Sequence, residues 1–279
     1  MKIIDTYDSV LALIKCSNGQ FDLTNWREYA GAISTELAKK CLEDSNKYDF
    51  GQALHSVLNT ALASRSKLDK LHASFLAVTR DLDERVAAVF GVDMDVDIIL
   101  YLGLCNGAGW ATRIGSKPTV LLGIEKIIEL DWVEVDSMNA LIIHELGHLW
   151  HDLTGTLYAD TKTAAEYHLW QLYQEGIAMY FEQLVLGDFS YYHQDKNGWL
   201  PWCAAQKSAL FSEYKRRVDT GESTQDFFGD WCSYRGYSDV GYYLGCELVK
   251  RMSTKYSLKE LVNLGVAEVY AALSDAAKL

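Results

Sequence analysis

Apolar and polar positions alternate with a helical period through the first ninety residues. In residues 5–16, DTYDSVLALIKC, the side chains of Tyr7, Val10, Leu11 and Ile14 recur at three- and four-residue spacing and line one face. Residues 25–42 and 51–90 continue the pattern, with Asp22 or Asn25 as an N-cap and Gly91 as a C-cap. His55 and His72 fall within this stretch and read as structural or exposed residues.

The period then changes. Residues 96–105, VDIILYLGLC, are β-rich, and NGAG after them is turn chemistry. WATRIG is short and extended, SKP makes another turn, and TVLLGI is a third apolar run. The pattern predicts a small antiparallel sheet of about three strands. A helix follows over DSMNALIIHELGHLWHDLTG, with Asp136 or Ser137 as N-cap and Gly155 as C-cap. A second helix is expected from about Thr163 to Leu186, then a Trp- and Tyr-rich irregular stretch to about Tyr237, then closing helices. The expectation is a predominantly helical α+β protein with a helical region over 1–90 and a second domain over 91–279.

Composition narrows the function classes. The chain has 279 residues, 49% apolar and 23% charged, so it can bury a large core without a disulfide or metal to staple it. Its net charge is −12 and it has no extended basic run, which argues against a nucleic-acid footprint and against anchoring on anionic lipid. The six cysteines are scattered without a CxxC pair and read as thiols in a reducing compartment. The first residues do not resemble a signal peptide and no apolar run reaches the length of a membrane span, so a cytoplasmic location is expected.

The helix over 136–155 carries the chemistry. His144 and His148 are four residues apart and therefore project from one face, where two imidazoles can reach one zinc ion at about 2.0–2.1 Å. Ile142, Leu146, Leu149 and Leu153 form a separate stripe for the core. Glu145 is rotated by about 100° from His144, so it is placed to take a proton from water rather than to bind the metal. Gly147 is expected to leave the backbone open beside the imidazoles.

A catalytic zinc needs a third protein ligand and an open fourth position. The longer HExxHxxGxxH pattern fails, because His151 stands in its glycine position and Thr154 in its last histidine position. His151 lies about 10.5 Å along the axis from His144, too far to share one ion, and is expected at a cleft rim or the surface. The remaining candidates are Glu166, Glu175 and Glu182 on the next helix. Glu175 is preferred because Gly176 and Ala178 beside it let a helix approach closely; Glu166 sits where a capping glutamate belongs.

Read as HELGH over 144–148 followed by EGIA over 175–178, these residues resemble the gluzincin type of zinc metallopeptidase. GYYLGCELVKRM, residues 241–252, also resembles a segment of bacterial proteins described as predicted zinc-dependent proteases. The resemblance covers roughly residues 95–255. It implies a zincin-like fold in which an active-site helix lies beneath a small sheet whose edge strand, here within WATRIGSKPTVLLG, pairs with an extended peptide or protein substrate. It further implies that zinc activates a water and polarises the scissile carbonyl, with Glu145 as general base. In such enzymes a Tyr, His or Arg from the C-terminal side steadies the oxyanion; Tyr242 is the first choice, with Tyr237, Arg235 and His193 behind it. The competing reading of that segment is that Gly241 and Gly245 serve close helix packing and the tyrosines are core.

Two departures from the family pattern stand out. Met179 occupies the position four past the glutamate ligand where gluzincins often carry an orienting acid, leaving Asp152 or Glu182 for that task. CNGAGWATR lacks the glutamate of the aminopeptidase signature. Two other functions stay open at this point: a noncatalytic zinc- or peptide-binding module on a peptidase scaffold, and a metal-dependent amidohydrolase.

Overall fold

The computed structural model describes residues 1–46, 52–91, 93–229 and 231–278. They fall into two compact units, Met1–Glu145 and Leu146–Leu279. The first unit opens with β1 (Lys2–Asp5) and continues through six helices: α1 (Tyr7–Cys16), α2 (Leu23–Ile33), α3 (Thr35–Ser45), α4 (Gln52–Ala63), α5 (Arg65–Thr79) and α6 (Leu82–Phe90). Then come β2 (Asp97–Tyr101), β3 (Gly109–Ile114), β4 (Lys117–Gly123) and α7 (Ile124–Glu129), and the helix α8 (Val135–Thr154) begins. The second unit takes the rest of α8 and adds α9 (Ala164–Leu186), α10 (Trp199–Thr220), α11 (Val240–Ser253), α12 (Leu258–Leu261) and α13 (Val266–Ala276).

The helix ends follow the local chemistry. Asp22 caps α2 by accepting from the Asn25 amide at 2.8 Å, which selects it over Asn25 as the N-cap. Gly91 ends α6 with φ +66°, in the left-handed conformation that glycine adopts without steric cost. The apolar pattern of 51–90 divides into three helices, with breaks at Ser64 and around Asp81. Helix α8 starts at Val135, slightly before the expected Asp136 or Ser137 cap.

The sheet corrects the antiparallel expectation. It has four strands in the order β1-β2-β4-β3 and is mixed: β1–β2 and β2–β4 are parallel, and only β3–β4 is antiparallel. The turn that joins β3 to β4 lies at Gly115 and Ser116, slightly ahead of the expected SKP, whose Lys117 and Pro118 already belong to β4. The β1–β2 pairing joins Ile3 to Ile98 across most of the unit, and KIID is too short to show an alternation of its own. The fold is thus α+β, mostly helical with a small mixed sheet.

In the first unit Ile98, Leu100, Val120 and Leu122 of the sheet are buried, as are Trp26, Leu68, Phe75 and Ile127 of the helices. Helix α2 also fixes the end of β2. The Trp26 indole donates to the Leu102 carbonyl at 2.9 Å, and the Leu102 amide donates to the Tyr29 hydroxyl at 2.9 Å.

In the second unit the helices meet through small residues. A side chain at Gly176 of α9 would overlap the backbone of Gly245 on α11, so the two axes come as close as backbone allows. A side chain at Gly155 would overlap the Val262 carbonyl, which accepts from the Thr156 amide at 2.8 Å. No helix among the described residues is long and apolar enough to cross a membrane.

Candidate metal centre

Helix α8 presents HELGH without a break, so His144 and His148 stand one turn apart on one face. Glu175 reaches His148 from α9: its Oε2 lies 3.3 Å from His148 Nε2. One ligand atom from each of His144, His148 and Glu175 lies within 4.8 Å of the other two, and among the described residues this is the one such group of three. His144 is buried; His148 and Glu175 are half-buried.

The approach of α9 to α8 has a visible cause. A Cβ on Gly147 would come within 2.9 Å of the Ala178 Cα and 3.1 Å of the Phe181 Cβ. Gly147 is therefore filled by its neighbour rather than left open, which corrects its expected role. Of the two small residues beside Glu175, Ala178 faces α8, whereas Gly176 serves the contact with α11.

The donor set fits a zinc ion. Two atoms bound tetrahedrally at the usual zinc distances stand roughly 3.3 Å apart, matching the spacing of His148 Nε2 and Glu175 Oε2. A hydrogen bond would bring one such pair equally close; with His144 as a third converging donor, the group could hold a metal ion.

Glu145, which is not part of that group, is engaged by the sheet. Its Oε2 accepts a 2.7 Å hydrogen bond from the Ala111 amide of β3, and a Cβ on Gly109 would overlap its carboxylate. Among the described residues β3 pairs with β4 alone and forms an edge of the sheet. The carboxylate is thus fixed against an edge strand by one backbone donor and one missing side chain. Neither feature carries a sequence signature, because every residue but proline has an amide. The glycine itself was visible, but as turn chemistry.

The other candidates are placed as follows. Glu166 is committed to the capping box that starts α9, accepting from the amides of Lys162 at 2.6 Å and Thr163 at 3.2 Å. Glu182 is fully buried and its Oε2 lies 3.0 Å from His193 Nδ1, so both residues are engaged together in the core of the second unit. Asp152 is half-buried, one turn beyond His148. Tyr242 is half-buried at the start of α11, its ring edge-on to Phe228 with centroids 5.7 Å apart. Tyr237 stacks on Trp202 at 4.4 Å, and the Arg235 guanidinium lies over the Tyr234 ring. Gly241 and Gly245 both serve close packing, against Phe228 and α9 respectively.

Two residues of α8 depart from expectation. His151 is fully buried rather than at a rim, edge-on to Tyr173 at 5.6 Å. It stands one turn beyond Gly147 and so shares the face that α9 covers. Burial, with His148 nearby, pushes its pKa down to about 3, against the pull of the Val262 carbonyl. Leu153, expected in the core stripe, is 45% exposed because the last turn of the helix outruns its cover, while Ile142, Leu146 and Leu149 are buried.

Compared with known proteins, the chain matches no protein family, no curated protein and no solved structure.

Proposed function

We propose that this protein is a zinc-dependent peptidase of the gluzincin kind, with His144, His148 and Glu175 as metal ligands and Glu145 as general base. The observation that carries the reading is the convergence of three donors from two helices, next in sequence to a carboxylate that stands outside the donor set. A structural zinc site closes with four protein ligands, whereas a catalytic one keeps a position open. Three donors among the described residues, and a base beside them, favour catalysis over a noncatalytic binding module.

Zinc bound there would supply Lewis acidity to the reacting carbonyl. The chain's own part is to place Glu145, whose carboxylate accepts a proton from the attacking water and returns it to the leaving amine. The edge of β3 supports an extended peptide as substrate, because an edge strand offers backbone donors and acceptors, besides the Ala111 amide that Glu145 takes, to a partner strand. An oxyanion role for Tyr242 stays a proposal, supported by its place on the helix that packs against α9.

Native mass spectrometry after addition of zinc, run beside a digest of a broad peptide library, tests the reading. One zinc per chain and library cleavage abolished by a chelator are expected. Protein that stays metal-free with zinc in excess overturns the proposal, and zinc without cleavage of any peptide favours the binding module.

A further inference from the structure

Glu125 is an acid that this chemistry does not use, and it is completely buried in the first unit. A carboxylate in that setting is costly unless its oxygens are occupied. Here Oε2 accepts from the Gly103 amide at 2.7 Å and Oε1 from the Cys105 amide at 2.9 Å. The loop that Glu125 holds, residues 103–108, runs directly into Gly109 and Ala111, which both lie against Glu145.

The loop requires holding. Cys105 has φ +60°, a left-handed conformation that a residue with a side chain keeps only where the surroundings impose it. The loop also lies directly on the acid: a Cβ at Gly103 would come within 2.5 Å of Glu125 Oε1 and 3.1 Å of the Tyr101 hydroxyl. Other ties also hold it. Leu104 donates to Asn106 Oδ1 at 3.0 Å, Asn106 donates to the Cys41 carbonyl and to Asp44, and the Ala108 carbonyl accepts from Gly123 at 2.9 Å. Glu125 alone takes two of the loop's amides.

We propose that Glu125 is a positioning residue for Glu145, acting through the loop 103–108 to set where Gly109 and the Ala111 amide meet the Glu145 carboxylate. This rests on the reading of Glu145 as the base. A displacement of Ala111 by a fraction of an ångström changes the aim of that carboxylate, and rates respond steeply to such misplacement. The ligands on α8 and α9 are untouched, so metal binding is unaffected.

Glu125→Gln tests the idea. The side chain keeps its shape, but an NH2 group then faces one of the two amide donors. Zinc content and KM for a quenched-fluorescent peptide from the library digest should hold, while kcat falls at least about tenfold, about 1.4 kcal/mol of transition-state stabilisation. Added to Glu145→Gln, the same change should cost nothing more, because its effect passes through Glu145. Hydrogen exchange on the protein alone should quicken at Gly103, Cys105 and Ala111 together. Loosening at Gly103 and Cys105 with Ala111 and kcat unchanged would make Glu125 a purely structural acid and overturn the proposal. The exchange readout needs no activity, so an inactive protein with coupled exchange refutes the peptidase reading and leaves the positioning intact. Should Glu125→Gln fail to fold, Gly103→Ala disturbs the same contact from the loop side and is held to the same outcomes.

Discussion

Gly147 of α8 faces Ala178 of α9 so closely that a single added methyl would stand 2.9 Å from the Ala178 Cα. That contact adjoins both residues of the His148–Glu175 pair, His148 next to Gly147 and Glu175 three residues before Ala178. Gly147→Val should therefore push α9 outward, and overpacking of this kind costs about 1–3 kcal/mol. If the strain falls on the ligand spacing, zinc affinity drops by roughly 10- to 100-fold. Competitive zinc titration checks it; a lowered Tm with unchanged zinc affinity would show that the Gly147 contact does not govern the site.

Glu175 and Glu166 lie on the same helix but do different work. Glu175→Ala should abolish most zinc binding, because only His144 and His148 of the proposed ligand set would remain. Glu166→Ala should leave zinc affinity unchanged and instead weaken the start of α9 by about 1 kcal/mol through loss of the capping box. Zinc titration and thermal melts on both variants separate the roles, and the reverse order would assign the wrong glutamate.

Glu145→Gln keeps the side chain's size and leaves all three donors in place, so zinc content should not change. Positioned general bases contribute on the order of 10²–10⁴-fold in rate, and peptide hydrolysis should fall by at least about two orders of magnitude. A variant with full zinc and full activity would remove Glu145 from the mechanism.

His151 makes stability sensitive to acid. Its folded pKa is about 3, whereas an unfolded chain's histidine titrates near 6.5, so the unfolded state binds the proton first. Stability is then lost as pH falls from about 6.5 toward about 3, by ~1.4 kcal/mol per pH unit where the two states differ by a full proton. Denaturant unfolding of metal-free protein at several pH values should show this slope, and His151→Leu should flatten it. Equal slopes in both proteins would place the acid sensitivity elsewhere.

Glu125 acts with the opposite sign. Burial pushes its pKa up to about 7, against the pull of the Gly103 and Cys105 amides and of Lys126. Between its ordinary value of 4.5 and about 7 the folded state holds the extra proton, so stability falls as pH rises through that window. The total is roughly 3 kcal/mol, and Glu125→Gln should lack this slope whatever its absolute stability. A wild-type curve no steeper than the variant's would contradict the raised pKa.

The sequence by itself determined what is local. Helical periodicity set most helices, and the four-residue spacing put His144 and His148 on one face, because both follow from the pitch of a single helix. A turn close to the observed hairpin and the capping role of Glu166 were legible for the same reason. Only the tertiary structure decided what depends on distant segments meeting. It paired β1 with β2 in parallel, buried His151 under α9, brought Glu175 to His148, and laid Glu145 against the Ala111 amide. It also gave Glu125 a buried place beneath a strained loop. Backbone donors and close approaches at glycine carry no residue signature of their own; they exist only once packing has chosen which surfaces touch.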